Sequence, residues 1–335
     1  MKMRVIDVHA HLAPQVLWSA FEQGHSWHGM THETRGDQEF IVGHGKRILI
    51  NSPKIRYTPE QRLADMDAEG TDMQVVSIHT PLFPYHWETG EAIEASKEVN
   101  DEIAGMTKRW PDRFVGLATL PLQDVDAAID ELERAVKTLG LKGAELDMVV
   151  NGLNWDEPRF LPLFKAAESL GALLFFHPQP QDNIVAVERT LRYGLPNSVG
   201  VVMEDALVVA TLICSGVLDE CPNLKVCIAH GGGGACFAMG RLDHGWQVRS
   251  EARVNILKPP SAYQNQIYYD FLTSSEAGLR FLIDSVGADR VVIGSDWPFV
   301  GWDPSPSGWL DGLQSLSAEE KEKIAWKNLE ALLGI

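Results

Sequence analysis

The chain has 335 residues, 45% hydrophobic and 22% charged, an ordinary globular balance with enough length for a large core. Forty-six acidic residues against 29 basic ones give a formal net charge of -17, which argues against nucleic acid and anionic membrane surfaces as partners. No uninterrupted apolar stretch reaches the roughly 18 residues of a membrane helix. The N-terminus runs straight into a strand pattern instead of a charged-then-apolar leader. Cys214, Cys221, Cys227 and Cys236 contain no Cys-x-x-Cys pair, so a reducing, cytoplasmic setting is expected.

In chain order, short apolar runs alternate with longer amphipathic stretches. The runs are Val5–Val8, Met73–Ile78, Phe114–Leu120, Gly143–Leu146, Ala172–Phe176, Leu224–Ala229, Ile267–Phe271 and Val291–Gly294. Continuous runs of this kind suit parallel strands buried on both faces. Helical spacing follows each one: Pro59–Glu69, Asp124–Leu139, and stretches near 91–109, 157–170, 204–219, 233–249, 275–286 and 317–333. Eight strand–helix repeats predict an α/β fold, a (β/α)8 barrel formed as one unit over 1–335. One segment, Ala13 to Thr58, breaks the rhythm between the first strand and its helix. It contains a candidate hairpin, Glu39–Ile50, with Gly43 and Gly45 at the turn, and it is expected to be a functional lid or arm. His25, His28 and His32 within it read as solvated loop residues.

The strand ends carry the chemistry. The first run closes on His9-Ala10-His11, and an i, i+2 pair on a strand faces one way. The fifth closes on His177-Pro178, the sixth on Ala229-His230-Gly231 and the eighth on Ser295-Asp296-Trp297. In a barrel these ends share one mouth. Buried together, four imidazoles and a carboxylate would be destabilising unless an ion or a proton network satisfied them. His9, His11, His177 and Asp296 are therefore read as ligands of one divalent ion, with zinc expected. Such an ion lowers the pKa of a coordinated water to about 7. His230, and Asp296 while it ligates, are read as the acid/base groups. The fourth strand offers no lysine at its C-terminal end, which favours one ion over two. The Gly231–Gly234 run lacks dinucleotide-binding spacing and reads as room for close backbone approach around His230.

The ordered set His9-x-His11, His177-Pro178, Ala229-His230-Gly231-Gly232-Gly233 and Gly294-Ser295-Asp296-Trp297-Pro298-Phe299 resembles the amidohydrolase superfamily. The match is to its branch of α-amino-β-carboxymuconate-ε-semialdehyde decarboxylases. Arg62–Gly70, Arg113–Leu117, Leu120–Gln123 and Gly240–Asp243 extend the resemblance over nearly the whole chain. It implies non-oxidative decarboxylation of a small carboxylated, unsaturated or aromatic substrate, and a homodimer. Arg47 resembles an arginine that binds the substrate carboxylate, with Arg56 as its competitor, and Arg241 resembles one that reaches the neighbouring subunit's site. Two departures point away from the muconate semialdehyde itself: His177-Pro178-Gln179-Pro180-Gln181, and Tyr193-Gly194-Leu195-Pro196-Asn197. Decarboxylases of hydroxylated benzoates usually carry Glu-x-His at the first strand, which counts against them. Hydrolysis of a lactone or amide, and a metal-binding barrel without catalysis, are the other readings.

Overall fold

The computed structural model describes residues 3–179 and 187–335. The chain enters through β1 (Ile6–Leu12) and then leaves the barrel. It forms a helix, Gln15–Glu22, and an antiparallel sheet of β2 (Thr31–Arg35), β3 (Gln38–Gly43) and β4 (Lys46–Leu49). After the helix Pro59–Glu69 come β5 (Met73–Ile78), β6 (Phe114–Gly116), β7 (Gly143–Leu146), β8 (Leu173–Phe176), β9 (Lys225–Ile228), β10 (Ile267–Asp270) and β11 (Val291–Val292). Their parallel ladders run β1-β5-β6 and β7-β8-β9-β10-β11.

Two seams close these ladders into a barrel. Ala118 pairs in parallel with Ala144, and its N–H donates to Gly143 O at 2.8 Å. Ala10 pairs in parallel with Trp297, His11 N–H donates to Trp297 O at 2.8 Å, and Val8 N–H to Ile293 O at 3.0 Å. The fold is the (β/α)8 barrel that the eight repeats predict.

Strand alternation divides the core. Leu174 and Phe176 join the large cluster packed against the helices, through Val99, Ile103, Leu132, Phe164 and Leu212. Leu173 and Phe175 join Ile6, Val8, Val75, Val115 and Cys227 in a smaller cluster, which fills the barrel. Residue 177, two beyond Phe175, therefore continues the inward face at the mouth.

The expected helices are present with shifted ends. Pro59 is the first helical residue, and Thr58 and Gln61 close a capping box ahead of it. The helix starting at Val125 ends in a π-turn over Ala135–Leu139, so the expected stretch is helical throughout. Pro196–Cys214 is long and apolar enough to cross a membrane by length and composition, yet it is a barrel helix in which Glu204 and Asp205 are buried.

The excursion between β1 and the helix at Pro59 is more regular than the sequence indicates. The helix Gln15–Glu22 and strand β2 were not expected, and the hairpin turn falls on His44 and Gly45, both with positive φ (48° and 78°). His28 donates from Nε2 to Glu98 at 2.9 Å and His32 from Nε2 to Glu39 at 3.2 Å.

One glycine fixes the barrel floor beneath the site. A Cβ on Gly294 would lie 2.8 Å from Asp270 Cβ and 2.9 Å from His9 Cβ. Gly294→Ala is expected to destabilise the protein by about 1–3 kcal/mol through overpacking. Denaturant titration of the variant checks this, and an unchanged midpoint would show that the two strands yield freely.

Candidate metal centre and active site

The barrel mouth brings the strand-end residues together. His9, His177, His230 and Asp296 each offer a ligand atom within 4.8 Å of the others. His11 shares the same space, with its Nε2 3.1 Å from His9 Nε2 and 3.2 Å from Asp296 Oδ1. The ring centroids of His9 and His177 lie 4.6 Å apart, and those of His11 and His177 4.8 Å apart. Asp296 and His230 both hold positive φ, 56° and 51°, a strained setting that recurs where side chains are aimed at a ligand.

These donors fit a divalent cation. Both ring nitrogens of His177 are buried, and among the described residues neither has a hydrogen-bond partner. Burial, then His9, His11 and His230, hold the His177 pKa well below its ordinary value, so it is neutral and can ligate. Burial opposes ionisation of Asp296, but His9 and then His11 outweigh it and hold its carboxyl well below the usual range. A set of three neutral or neutralisable imidazoles and one carboxylate matches divalent transition-metal sites.

A second layer of residues orients these donors. His9 donates from Nδ1 to Asp270 Oδ2 at 2.8 Å, so its Nε2 faces the cluster. Asp270 Oδ1 also accepts Gly231 N–H at 2.9 Å and Leu272 N–H at 3.0 Å. Asp7 points into the barrel, accepting Ser295 Oγ–H at 2.5 Å and Ser295 N–H at 2.9 Å. Trp302 Nε1 donates to Ser295 O at 2.8 Å.

Arg62 explains part of the Arg62–Gly70 motif. Its buried guanidinium donates to His11 O and, at 3.1 Å, to Gln74 Oε1, and lies 3.9 Å from the centre of the Trp297 ring. Asp65 accepts Trp297 Nε1–H at 2.7 Å. The motif thus ties the ends of β1 and the Asp296 turn to one helix.

His230 stands beside the cluster with its own partner. Its Nδ1 donates to Asp205 Oδ2 at 3.1 Å, which leaves Nε2 toward the shared space. Burial lowers the imidazole's pKa, and Asp205 more than reverses this, for a net rise. Burial pushes the Asp205 carboxyl up to about 6 against the pull of His230. The glycine run behind His230 allows this approach: a Cβ on Gly233 would meet Val202 O at 2.0 Å.

Above the cluster lies a cavity of about 310 Å³, reached by His11, His177, His230 and Asp296. Its walls come from Ile48, Leu49 and Asn51 of the excursion after β1, from His79, Thr80 and Pro81, from Asn197 and Val201, and from Phe299 and Val300. The structure brings none of the three candidate arginines there. Arg47 sits on the outer face of β4, paired with Glu33 Oε2 at 3.0 Å, while its neighbour Ile48 turns inward and is buried. Arg56 pairs with Glu39 and packs over Trp18 at 4.7 Å, along a different groove. Arg241 is exposed on the helix Ala235–Val248. Gln179 is buried, donating to Thr80 O at 2.7 Å and accepting from Lys46 Nζ at 2.8 Å. Pro180 and Gln181 lie outside the described residues.

Sequence reasoning missed four groups around the site: Asp270, Asp205, Glu145 and His79. Three follow the strand-end logic, since Asp270 closes β10, Glu145 lies in β7 and His79 follows β5. Burial pushes Glu145 up to about 8, and it lies 3.6 Å from His11 Nδ1. Asp205 had a weaker signal, a carboxylate inside an apolar helix.

The amidohydrolase family model matches residues 6–335. This chain belongs to the amidohydrolase family. It is 32% identical to a 2-amino-3-carboxymuconate-6-semialdehyde decarboxylase of Dictyostelium discoideum, over 98% of this chain and 91% of that protein. It is also 32% identical to a gamma-resorcylate decarboxylase of a Rhizobium strain, over 82% of this chain and 86% of that one. The hydroxybenzoate branch is therefore as similar in identity as the muconate branch, although over less of the chain, and the Glu-x-His difference at β1 does not set it far apart. Among solved structures, a 2,6-dihydroxybenzoate decarboxylase complexed with 2,6-dihydroxybenzoate shares the fold of this amidohydrolase. Its TM-score is 0.82 at 24% identity, covering 99% of this chain and 100% of that one.

Proposed function

We propose that this amidohydrolase is a metal-dependent, non-oxidative decarboxylase of a small carboxylated substrate that is unsaturated or aromatic. The observation that carries this reading is the position of His230, held by Asp205, beside His9, His11, His177 and Asp296 at the base of the cavity. The decarboxylases among its relatives support the reaction class.

His9, His11, His177 and Asp296 would hold one divalent ion. The nitrogen-rich donor set favours zinc. When bound, the ion supplies a Lewis acid that binds the substrate's oxygens and favours charge on them. The chain's own residues handle the proton. His230, bound to Asp205 through Nδ1–H and raised in pKa by it, acts as the imidazolium and carries its second proton on Nε2, the nitrogen that faces the cavity. The C–C bond to the carboxyl group breaks, its electron pair stays on the carbon, and that carbon takes the His230 proton as CO2 leaves. Asp296, ionised and 3.4 Å from His9 Nε2, is placed to relay protons on the other side. Ile48, Leu49, Pro81, Val201, Phe299 and Val300 exclude water and fit a flat apolar ring or diene.

Incubating the holoenzyme with carboxyl-labelled hydroxybenzoates and amino- or oxo-substituted unsaturated acids, then trapping the gas, tests the reaction. Labelled CO2 from at least one of these acids is expected. Turnover of lactones or amides without CO2 would move the enzyme to the hydrolases.

The His230–Asp205 pair also predicts a pH effect. Asp205 raises the His230 pKa, so Asp205→Asn lowers it. The high-pH limb of the rate profile, where His230 loses the proton it delivers, then shifts to lower pH, and the plateau falls by about 10–100-fold as the ring loses its orientation. A limb that stays in place would assign it to another group.

We also propose a homodimer working in a reducing cytoplasm. Arg241 shares its helix with Phe237, 84% exposed, and Val248, and Met203 and Leu207 on the helix Val201–Cys214 are also partly exposed. Clustered apolar exposure of this kind usually marks an interface. Analytical ultracentrifugation checks it, and a monomer at micromolar concentration would count against it.

A further inference from the structure

The cavity has a polar wall that the proton chemistry does not use. His79 follows β5, and its backbone N–H donates to Leu12 O at 2.7 Å, which fixes the residue beside the end of β1. Its ring packs on Phe299, centroids 4.6 Å apart at 31°, and lies 6.2 Å from the His11 ring. His230 contacts the His9 and His177 rings instead, at 5.5 and 5.0 Å. The two imidazoles thus flank the donor cluster from different sides.

The ring nitrogens of His79 are not equivalent. Nδ1 is buried without a hydrogen-bond partner among the described residues. His79 lines the cavity, so Nε2 is the nitrogen that meets it. A buried N–H with no acceptor is more destabilising than a buried lone pair with no donor, so the proton belongs on Nε2. The cavity wall then presents a fixed N–H donor beside Phe299.

We infer that His79 is a specificity residue whose Nε2–H donates to an oxygen on the substrate next to the departing carboxylate, so that the enzyme prefers hydroxy- or oxo-substituted acids over the same acids without that oxygen. The inference rests on the decarboxylase reading and names the substrate class within it. The neutral ring, with its proton on Nε2, donates a hydrogen bond to that oxygen from its place against Phe299. That division of labour keeps proton delivery on the His230 side. A site built to hydrogen-bond an oxygen discriminates strongly against the analogue that lacks it, because the polar group is then left unpaired. Asn51, Asn197 and Thr80 on the same walls add neutral polar atoms, consistent with an uncharged substituent.

The test is equilibrium binding to the metal-loaded protein, read by calorimetry, for an ortho-hydroxybenzoate and the benzoate that lacks the hydroxyl. Wild type is expected to favour the hydroxy acid by about 10–100-fold. His79→Phe keeps the ring packing on Phe299 but removes the donor, and it should bring the ratio close to one mainly by weakening the hydroxy acid. His79→Gln, which restores an N–H donor, should recover part of the ratio. Metal content, measured alongside, should be unchanged in both variants. A ratio that survives in His79→Phe overturns the inference, and so does a wild type that does not distinguish the pair. Binding does not depend on turnover. A protein that shows the expected ratios but releases no CO2 from any of the labelled acids named above therefore sinks the decarboxylase reading and leaves the role of His79 standing.

Discussion

His230→Asn is expected to lower CO2 release by about 10²–10⁴-fold while the ion content stays at the wild-type level. Asparagine is the informative replacement. His230 holds φ at 51°, a region that asparagine tolerates far better than most residues, so the turn before the glycine run survives. The side chain retains an amide that can meet Asp205 but cannot deliver a proton at neutral pH. Loss of the ion in this variant would place His230 among the ligands. Unchanged turnover would take away the proton donor on which the proposed reaction depends.

The second large effect concerns the ligands. His177→Leu is expected to abolish activity and to weaken ion binding by more than the roughly 10–100-fold that loss of an outer-shell partner brings. The same substitution should stabilise the ion-free protein by about 1–3 kcal/mol, because it removes two buried nitrogens that no described group satisfies. Opposite signs for ion affinity and ion-free stability are what separate a ligand from an ordinary core histidine. Thermal melts with and without chelator, together with metal analysis, read both. A variant that binds the ion as wild type does, or that is destabilised without it, would return His177 to the core.

The barrel was legible because its strands are short, continuous and apolar, a pattern with few other uses. The candidate ligand set was legible because each member stands at or near the end of such a run: His11 lies one residue before the end of β1, and His177 follows directly on Phe176. Asp270 carried the same signal at the end of β10 but was passed over, because one carboxylate at a strand end has no partner visible in sequence. Its bond to His9 crosses 261 positions. Asp205 lies on a helix, and only the approach of that helix to the glycine run brings it to His230. The excursion after β1 was legible as an interruption and a hairpin, but not as a three-stranded sheet. Its polar strand Thr31–Arg35 is mostly exposed and shows no apolar alternation. Arg47 illustrates a further limit. Within β4, a shift of one residue decides whether a side chain meets the cavity or the solvent, and Ile48 and Leu49 reach the wall where Arg47 pairs with Glu33.

Anomalous diffraction from crystals of the active holoenzyme, collected on both sides of the metal's absorption edge, addresses the central claim most directly. The account predicts one peak per chain, about 2.0–2.2 Å from nitrogens of His9, His11 and His177 and an oxygen of Asp296. A peak elsewhere, or none in crystals that still release CO2 from the substrate, would contradict it.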